Sequence, residues 1–227
     1  MADLHYWVRC DEMLSKPHLL VAGATGSGKS VYINSMLYTL LTYQPEEKQV
    51  ILIDPKRVEL SAYRHVPHCA GYAHENSDIL GLLRKACEVM EKRYEVMERK
   101  QLKKWDGGDL YVVIDEFADL MVTMPKQVSP LVQRLAQLGR AAKVHVWLCT
   151  QAPNRTVLKA NVVLNFTDRI ALHCNDKMES RQILGEPGAE TLPRYGKGIY
   201  KSPEGIRLMD IPYTEESDLV ARIQFWT

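Results

Sequence analysis

His18-Leu19-Leu20-Val21-Ala22-Gly23-Ala24-Thr25-Gly26-Ser27-Gly28-Lys29-Ser30 carries an apolar run of strand length straight into G-x-x-x-x-G-K-[ST]. A helical pattern follows, from about Lys29 to Tyr43. Strand, glycine-rich turn and helix in this order make a phosphate cradle. The glycines let successive backbone N–H groups converge on phosphate oxygens, and the helix N-terminus adds positive potential. Lys29 is placed to reach the β- and γ-phosphates and Ser30 to ligate Mg²⁺. The predicted nucleotide-binding set is Gly23, Ala24, Thr25, Gly26, Ser27, Gly28, Lys29, Ser30 and Val31, with ATP and Mg²⁺ as the implied cofactors. The sequence holds no Asn-Lys-x-Asp guanine reader, which favours ATP over GTP.

Outward from this stretch, further strand-length runs alternate with helical patterns: Gln49 to Asp54, Leu110 to Asp115, Val144 to Cys149 and Arg169 to Leu172. That alternation predicts βαβ units and an α/β fold with a mostly parallel central sheet flanked by helices. A long helix is expected from about Ser77 to Lys103. Its Ile79, Leu82, Leu83, Ala86, Val89, Met90 and Met97 fall on one face, with Glu and Lys on the other. A third helix is expected after Ser129-Pro130, with Ser129 as cap and Pro130 at the first position. From Gly185 glycines and prolines punctuate short apolar segments. They predict a terminal hairpin and then a short helix from Thr214 to Trp226. The organisation expected is one domain: a lead-in over 1–16, a core over 17–184, and a hairpin with helix over 185–227.

Leu110-Tyr111-Val112-Val113-Ile114-Asp115-Glu116 supplies the complement of the phosphate loop. An apolar strand delivers Asp115 to the metal shell, and Glu116 beside it is placed to orient and deprotonate an attacking water, which points to hydrolysis. The next strand ends in Thr150-Gln151, where Gln151 is either a γ-phosphate sensor or a turn cap. Arg134, Arg140 and Arg169 are surface ion-pair residues in a monomer; in a ring-forming ATPase they are placed to point at a neighbour's nucleotide. His65, His68, Cys69 and His74 lie close together, but their spacing fits no usual zinc pattern.

Composition sets the bounds. The 227 residues are 46% hydrophobic and 25% charged, which suits one soluble core rather than a disordered chain. Twenty-nine Lys and Arg against 28 Asp and Glu give a net charge of +1, so any polyanion contact must be local. Five widely spaced cysteines without a C-x-x-C pair suggest reduced thiols, and with no secretory signal or membrane-length apolar run the expected location is cytoplasmic.

The chain resembles the motor domain of the FtsK/SpoIIIE family of DNA translocases, within the RecA-like HerA/FtsK superfamily. The resemblance rests on Pro17 to Gly23 leading into the phosphate loop, Ile53-Asp54-Pro55-Lys56 with Glu59-Leu60-Ser61, and Val113 to Met121. It continues through Arg134-Leu135-Ala136-Gln137, Gly139-Arg140-Ala141-Ala142, Thr150-Gln151, Lys159-Ala160-Asn161, Arg169-Ile170-Ala171, Ser180 to Leu184 and Gly188-Ala189-Glu190. It implies a RecA-like P-loop NTPase sheet and hexameric rings around double-stranded DNA, with nucleotide held between subunits. Arg140 falls on the family's arginine-finger position, acting in trans, with Arg169 a second candidate. Lys159 and Lys177 fall on loops that face the DNA, where contacts to phosphates would be insensitive to sequence. Asp54-Pro55-Lys56 falls beside the nucleotide. The chain departs from the family at Ala152, where members carry Arg, and in the length of 161–169. Without the family's membrane anchor and orientation-reading winged helix, it reads as an excised motor core or a compact relative from a mobile element or phage.

The function expected is an ATP-driven motor that moves double-stranded DNA, in chromosome or mobile-element transport, with recombination, division or conjugation proteins as further partners. One alternative is a coupling protein of conjugation or a secretion-system ATPase of the same superfamily. Another is a nucleotide-switched binding module that forms no rings.

Overall fold

The computed structural model describes residues 10–42, 45–211, 213, 221 and 225. Eight strands form one sheet: β1 (His18–Ala22), β2 (Lys48–Ile53), β3 (Cys69–Ala73), β4 (Asp109–Ile114), β5 (Val144–Thr150), β6 (Asp168–Ala171), β7 (Lys197–Ser202) and β8 (Gly205–Asp210). Their order is β3-β2-β4-β5-β1-β6-β7-β8, parallel through β6 and antiparallel for the closing hairpin. Seven α-helices lie among the described residues: α1 (Cys10–Leu14), α2 (Lys29–Thr42), α3 (Asn76–Lys100), α4 (Phe117–Thr123), α5 (Pro125–Ala142), α6 (Ala160–Val163) and α7 (Lys177–Leu184). The predicted mostly parallel α/β sheet is present, with the strand expected in each apolar run. The expected helix over 214–226 lies outside the described residues.

Alternation along the central strands divides the core between the two faces of the sheet. Leu110, Val112 and Ile114 of β4 pack with Ile79, Leu83, Ala86 and Met90 of α3 and with Val128, Val132 and Leu135 of α5. Tyr111 and Val113, one residue out of step, pack on the other face with Ile33, Leu37 and Leu40 of α2. These strands are apolar throughout because helices cover both faces. Truncating a buried Leu, Ile or Met of this set to Ala costs about 2–5 kcal/mol.

Two expectations are corrected. Ser129-Pro130 does not start a helix: α5 begins at Pro125, and Pro130 lies inside it. Met124 takes the non-helical cap geometry, so Pro125 occupies the first position, where a missing N–H is harmless. Pro130 is exposed, so the Lys126 carbonyl it leaves without a helical donor lies on the solvent side. The second correction is β3, which lies in the segment read only for its His and Cys residues. Cys69-Ala70-Gly71-Tyr72-Ala73 lacks a branched apolar run, yet it pairs with β2 at the sheet edge, and Gly71 lets Leu82 of α3 close over the strand.

No helix among the described residues is long and apolar enough to cross a membrane. Cys69, Cys87, Cys149 and Cys174 are free thiols.

Candidate functional site

The parallel register brings the carboxyl ends of β1, β2, β4 and β5 to one edge of the sheet, where α/β folds place ligands. The loop after β1 is tied to its surroundings by backbone bonds. Ala24 N–H donates to His173 O (2.8 Å) and Ser27 N–H to Ala24 O (3.1 Å). Gly26 and Gly28 have φ of 74° and 87°, left-handed conformations that suit glycine and turn the chain sharply into α2.

Lys29, the first residue of α2, is buried with its ammonium against Asp115. It donates to Asp115 Oδ1 at 2.5 Å and to the Asp115 carbonyl at 2.9 Å. Burial opposes its charge, but the surrounding anionic groups, Asp115 and Glu116 among them, outweigh burial and hold its pKa above the ordinary lysine value. Ser30 Oγ donates to Glu59 Oε1 (2.6 Å). Asp54, fully buried at the end of β2, accepts the Leu60 N–H on Oδ2 and has no hydrogen-bond partner on Oδ1. Ser30, Asp115, Glu59 and Asp54 thus form an oxygen-rich flank beside a lysine. With an unsatisfied carboxylate oxygen buried in it, this flank suits a hard divalent cation beside phosphates.

Glu116 is buried and caps α4, accepting the Ala118 N–H at 3.4 Å. Thr150 Oγ1 (2.8 Å) and Gln151 N–H (3.1 Å) donate to Oε1, and Lys56 Nζ stands 3.3 Å from Oε2. The carboxylate therefore lies between the phosphate-loop strand's neighbour β5 and the 54–59 loop, aimed by three elements at once. The Gln151 side chain reaches across to the phosphate loop, accepting from Thr25 Oγ1 at 3.0 Å. This contact sets the Gln151 side chain against the phosphate loop.

The structure brings together Gly23 to Val31, Asp115, Glu116 and Gln151. The remaining predicted residues lie elsewhere. Arg140 is exposed in the last turn of α5. That turn precedes β5, so it sits at the opposite sheet edge, roughly 20 Å from Thr150 along the strand. Arg134 pairs with Glu91 of α3 at 2.8 Å. Arg169 turns into its own chain, donating to Phe166 O (2.7 Å), Val163 O (3.0 Å) and Ile183 O (3.0 Å). With each of its three guanidinium nitrogens donating to a carbonyl near the ends of α6 and α7, Arg169 acts as a clamp between helices. This geometry does not support the finger role expected of it. Lys159 and Lys177 are exposed at the starts of α6 and α7. The two regions are joined by Gln182 Nε2 donating to Leu158 O (3.0 Å) and flank a cleft of about 520 Å³ that Arg155 also lines.

In the sequence, Lys56 and Glu59 stand out only within the family resemblance. Their reach to Glu116 and Ser30 follows from the turn after β2, whose one local signal is a cluster of charges just past a strand end.

A family model described as FtsK/SpoIIIE matches residues 6–110 and 108–155. The chain belongs to the FtsK/SpoIIIE family. It is similar to the DNA translocase FtsK of Rickettsia prowazekii (strain Madrid E), 34% identical over 253 aligned positions that cover 92% of this chain and 34% of the relative. FtsK of Chlorobaculum tepidum is 36% identical over 238 positions, covering 95% and 30%. The chain thus spans about a third of the length of these FtsK relatives. Among solved structures, the pCW3 conjugation coupling protein TcpA with ATPγS superposes with a TM-score of 0.82 at 22% identity, covering 95% of this chain and 66% of that one. The cytoplasmic domain of the type VII secretion ATPase EccC from Thermomonospora curvata gives 0.76 at 24%, covering 94% and 28%. These likenesses establish the RecA-like P-loop ATPase fold expected for an FtsK/SpoIIIE chain.

Proposed function

We propose that this chain is the ATP-hydrolysing motor unit of a ring that moves double-stranded DNA in the cytoplasm. The observation that carries the reading is the buried Glu116 carboxylate, held beside Asp115 and linked through Gln151 to the phosphate loop. A buried acceptor at that place, a few ångströms from a lysine-bearing phosphate cradle, suits activation of water. FtsK/SpoIIIE membership and relatives named DNA translocases supply the substrate.

In this mechanism the loop N–H groups and Lys29 hold the phosphates of ATP, and Ser30 and Asp115 would hold Mg²⁺. When bound, Mg²⁺ supplies charge neutralisation of the phosphate oxygens. Glu116 takes a proton from water as the new O–P bond forms and the bond from the γ-phosphorus to the β-bridging oxygen breaks. Lys29, freed from Asp115, follows the charge onto the phosphates. Arg140, far from its own loop, reaches the nucleotide of an adjacent subunit in a ring of six. Lys159 and Lys177 contact duplex phosphates, so binding falls with salt and ignores sequence. A role in conjugation or secretion draws support only from shared fold.

The test is phosphate release with and without duplex DNA. Wild type is expected to be stimulated by duplex. Glu116→Gln is expected to retain labelled ATP while turnover falls by about 10²–10⁴-fold, the usual worth of a positioned base. Unchanged turnover in Glu116→Gln would remove Glu116 from the chemistry, and turnover indifferent to duplex DNA would remove the motor reading.

A further inference from the structure

Arg194 lies 165 residues from Lys29 in the chain, yet its guanidinium stands beside Gly26 of the phosphate loop. A methyl group built on Gly26 would lie 3.8 Å from Arg194 Nη1. The approach is fixed by a short relay. Ala24 N–H of the loop donates to His173 O (2.8 Å), and the His173 ring meets Leu192 O through Nδ1 at 2.7 Å. Leu192 is buried, and only Pro193, whose φ is locked, separates it from Arg194. On the far side, Ile211 N–H donates to Gly196 O (3.0 Å), pinning the segment to the end of β8. Arg194 is exposed, and its guanidinium makes no hydrogen bond or ion pair among the described residues.

The loop's other cations are already engaged. Lys29 contacts Asp115 and Lys56 contacts Glu116. A guanidinium with no ion pair among the described residues, beside the glycine turn of the phosphate loop, has the chemistry to bind a terminal phosphate in bidentate fashion.

We propose that Arg194 is a phosphate-binding residue acting in cis, contacting the β- or γ-phosphate of the nucleotide in its own subunit. This rests on the nucleotide-binding reading of the loop and extends it with a contact from the hairpin region.

The experiment is titration of fluorescent ATPγS and ADP with dilute protein, read by anisotropy, for wild type, Arg194→Ala, Arg194→Lys, Lys29→Ala and the charge control Arg84→Ala on α3. Arg194→Ala is expected to weaken ATPγS binding about tenfold, as for loss of a charge-assisted phosphate contact. Arg194→Lys should recover part of the loss, and Arg84→Ala should match wild type. A loss confined to ATPγS assigns the contact to the γ-phosphate, and an equal loss for ADP assigns it to the β-phosphate; either supports the proposal. Affinities within twofold of wild type for both nucleotides overturn it, provided Lys29→Ala still abolishes binding. If wild type binds neither nucleotide, the reading of the loop fails and this contact fails with it. Arg194 is exposed, so Arg194→Ala should fold, and its thermal midpoint checks that the loss is local.

Discussion

At the first residue of β1, His18 is buried with Nδ1 accepting the Val146 N–H (3.1 Å) and Nε2 without a partner. Burial first, and the neighbouring His145 second, lower its pKa to about 3. The unfolded chain takes up this proton near pH 6.5, whereas the folded chain resists until about pH 3. The unfolded state therefore binds more protons between those values. Stability is fully present above pH 6.5 and falls as pH drops, by up to about 1.4 kcal/mol per pH unit. Urea unfolding at pH 7, 6, 5 and 4 should show this slope. His18→Asn keeps an acceptor for Val146 without titrating and should flatten it by about one proton; an equal slope in the variant would mean the loss arises elsewhere. Single residues were unevenly legible in the sequence. Lys29, Ser30, Asp115 and Glu116 could be read because each is fixed by its place on one strand or turn. Glu59 and Arg194 could not, since Glu59 meets the loop only after the crossover to β2 and Arg194 only after the segment behind α7 has returned the chain.

At the scale of elements, the fit of α5 against the start of β5 is set by one glycine. A methyl group on Gly139 would lie 2.2 Å from Val144 O and 3.1 Å from His18 Cε1. The carbonyl belongs to a central strand and cannot retreat. Gly139→Ala is expected to destabilise the fold by about 2 kcal/mol or more, lowering the thermal midpoint by roughly 5 °C. A midpoint within a degree of wild type would show that the helix can lift away. Gly139 entered the sequence reading only inside a motif beside Arg140, and the physical reason for it is the close approach that positions that arginine. Central strands were legible because burial on both faces leaves an unbroken apolar run. The edge strand β3 was not, because an edge needs fewer apolar side chains and takes its shape from the neighbouring ladder. The start of α5 was misplaced for a similar reason: Pro125 and Pro130 are both locally acceptable first residues, and packing of Val128 against the sheet selects the earlier one.

At the scale of the whole molecule, Arg140 and the phosphate loop lie at opposite sheet edges, so one subunit cannot supply both to the same nucleotide. Arg140→Ala and Lys29→Ala should each abolish turnover alone. On the ring proposed above, mixing them in equal amounts should recover activity, because roughly a quarter of randomly assembled interfaces would join an intact loop to an intact arginine. Phosphate release from the mixture measures this, and no recovery would remove the proposed action of Arg140 on a neighbour's nucleotide.

β1 takes its place in the sheet between β5 and β6, and both neighbours lie more than a hundred residues downstream. During synthesis, the stretch that ends in the phosphate loop therefore waits without a flanking strand until β5 has emerged, and without its second until residue 171 has. Contacts this distant in sequence form late and slowly. A chain stalled after β4 would carry the complete loop sequence and still have no cradle, so the ability to hold nucleotide arrives only once β5 and β6 have closed on either side of β1.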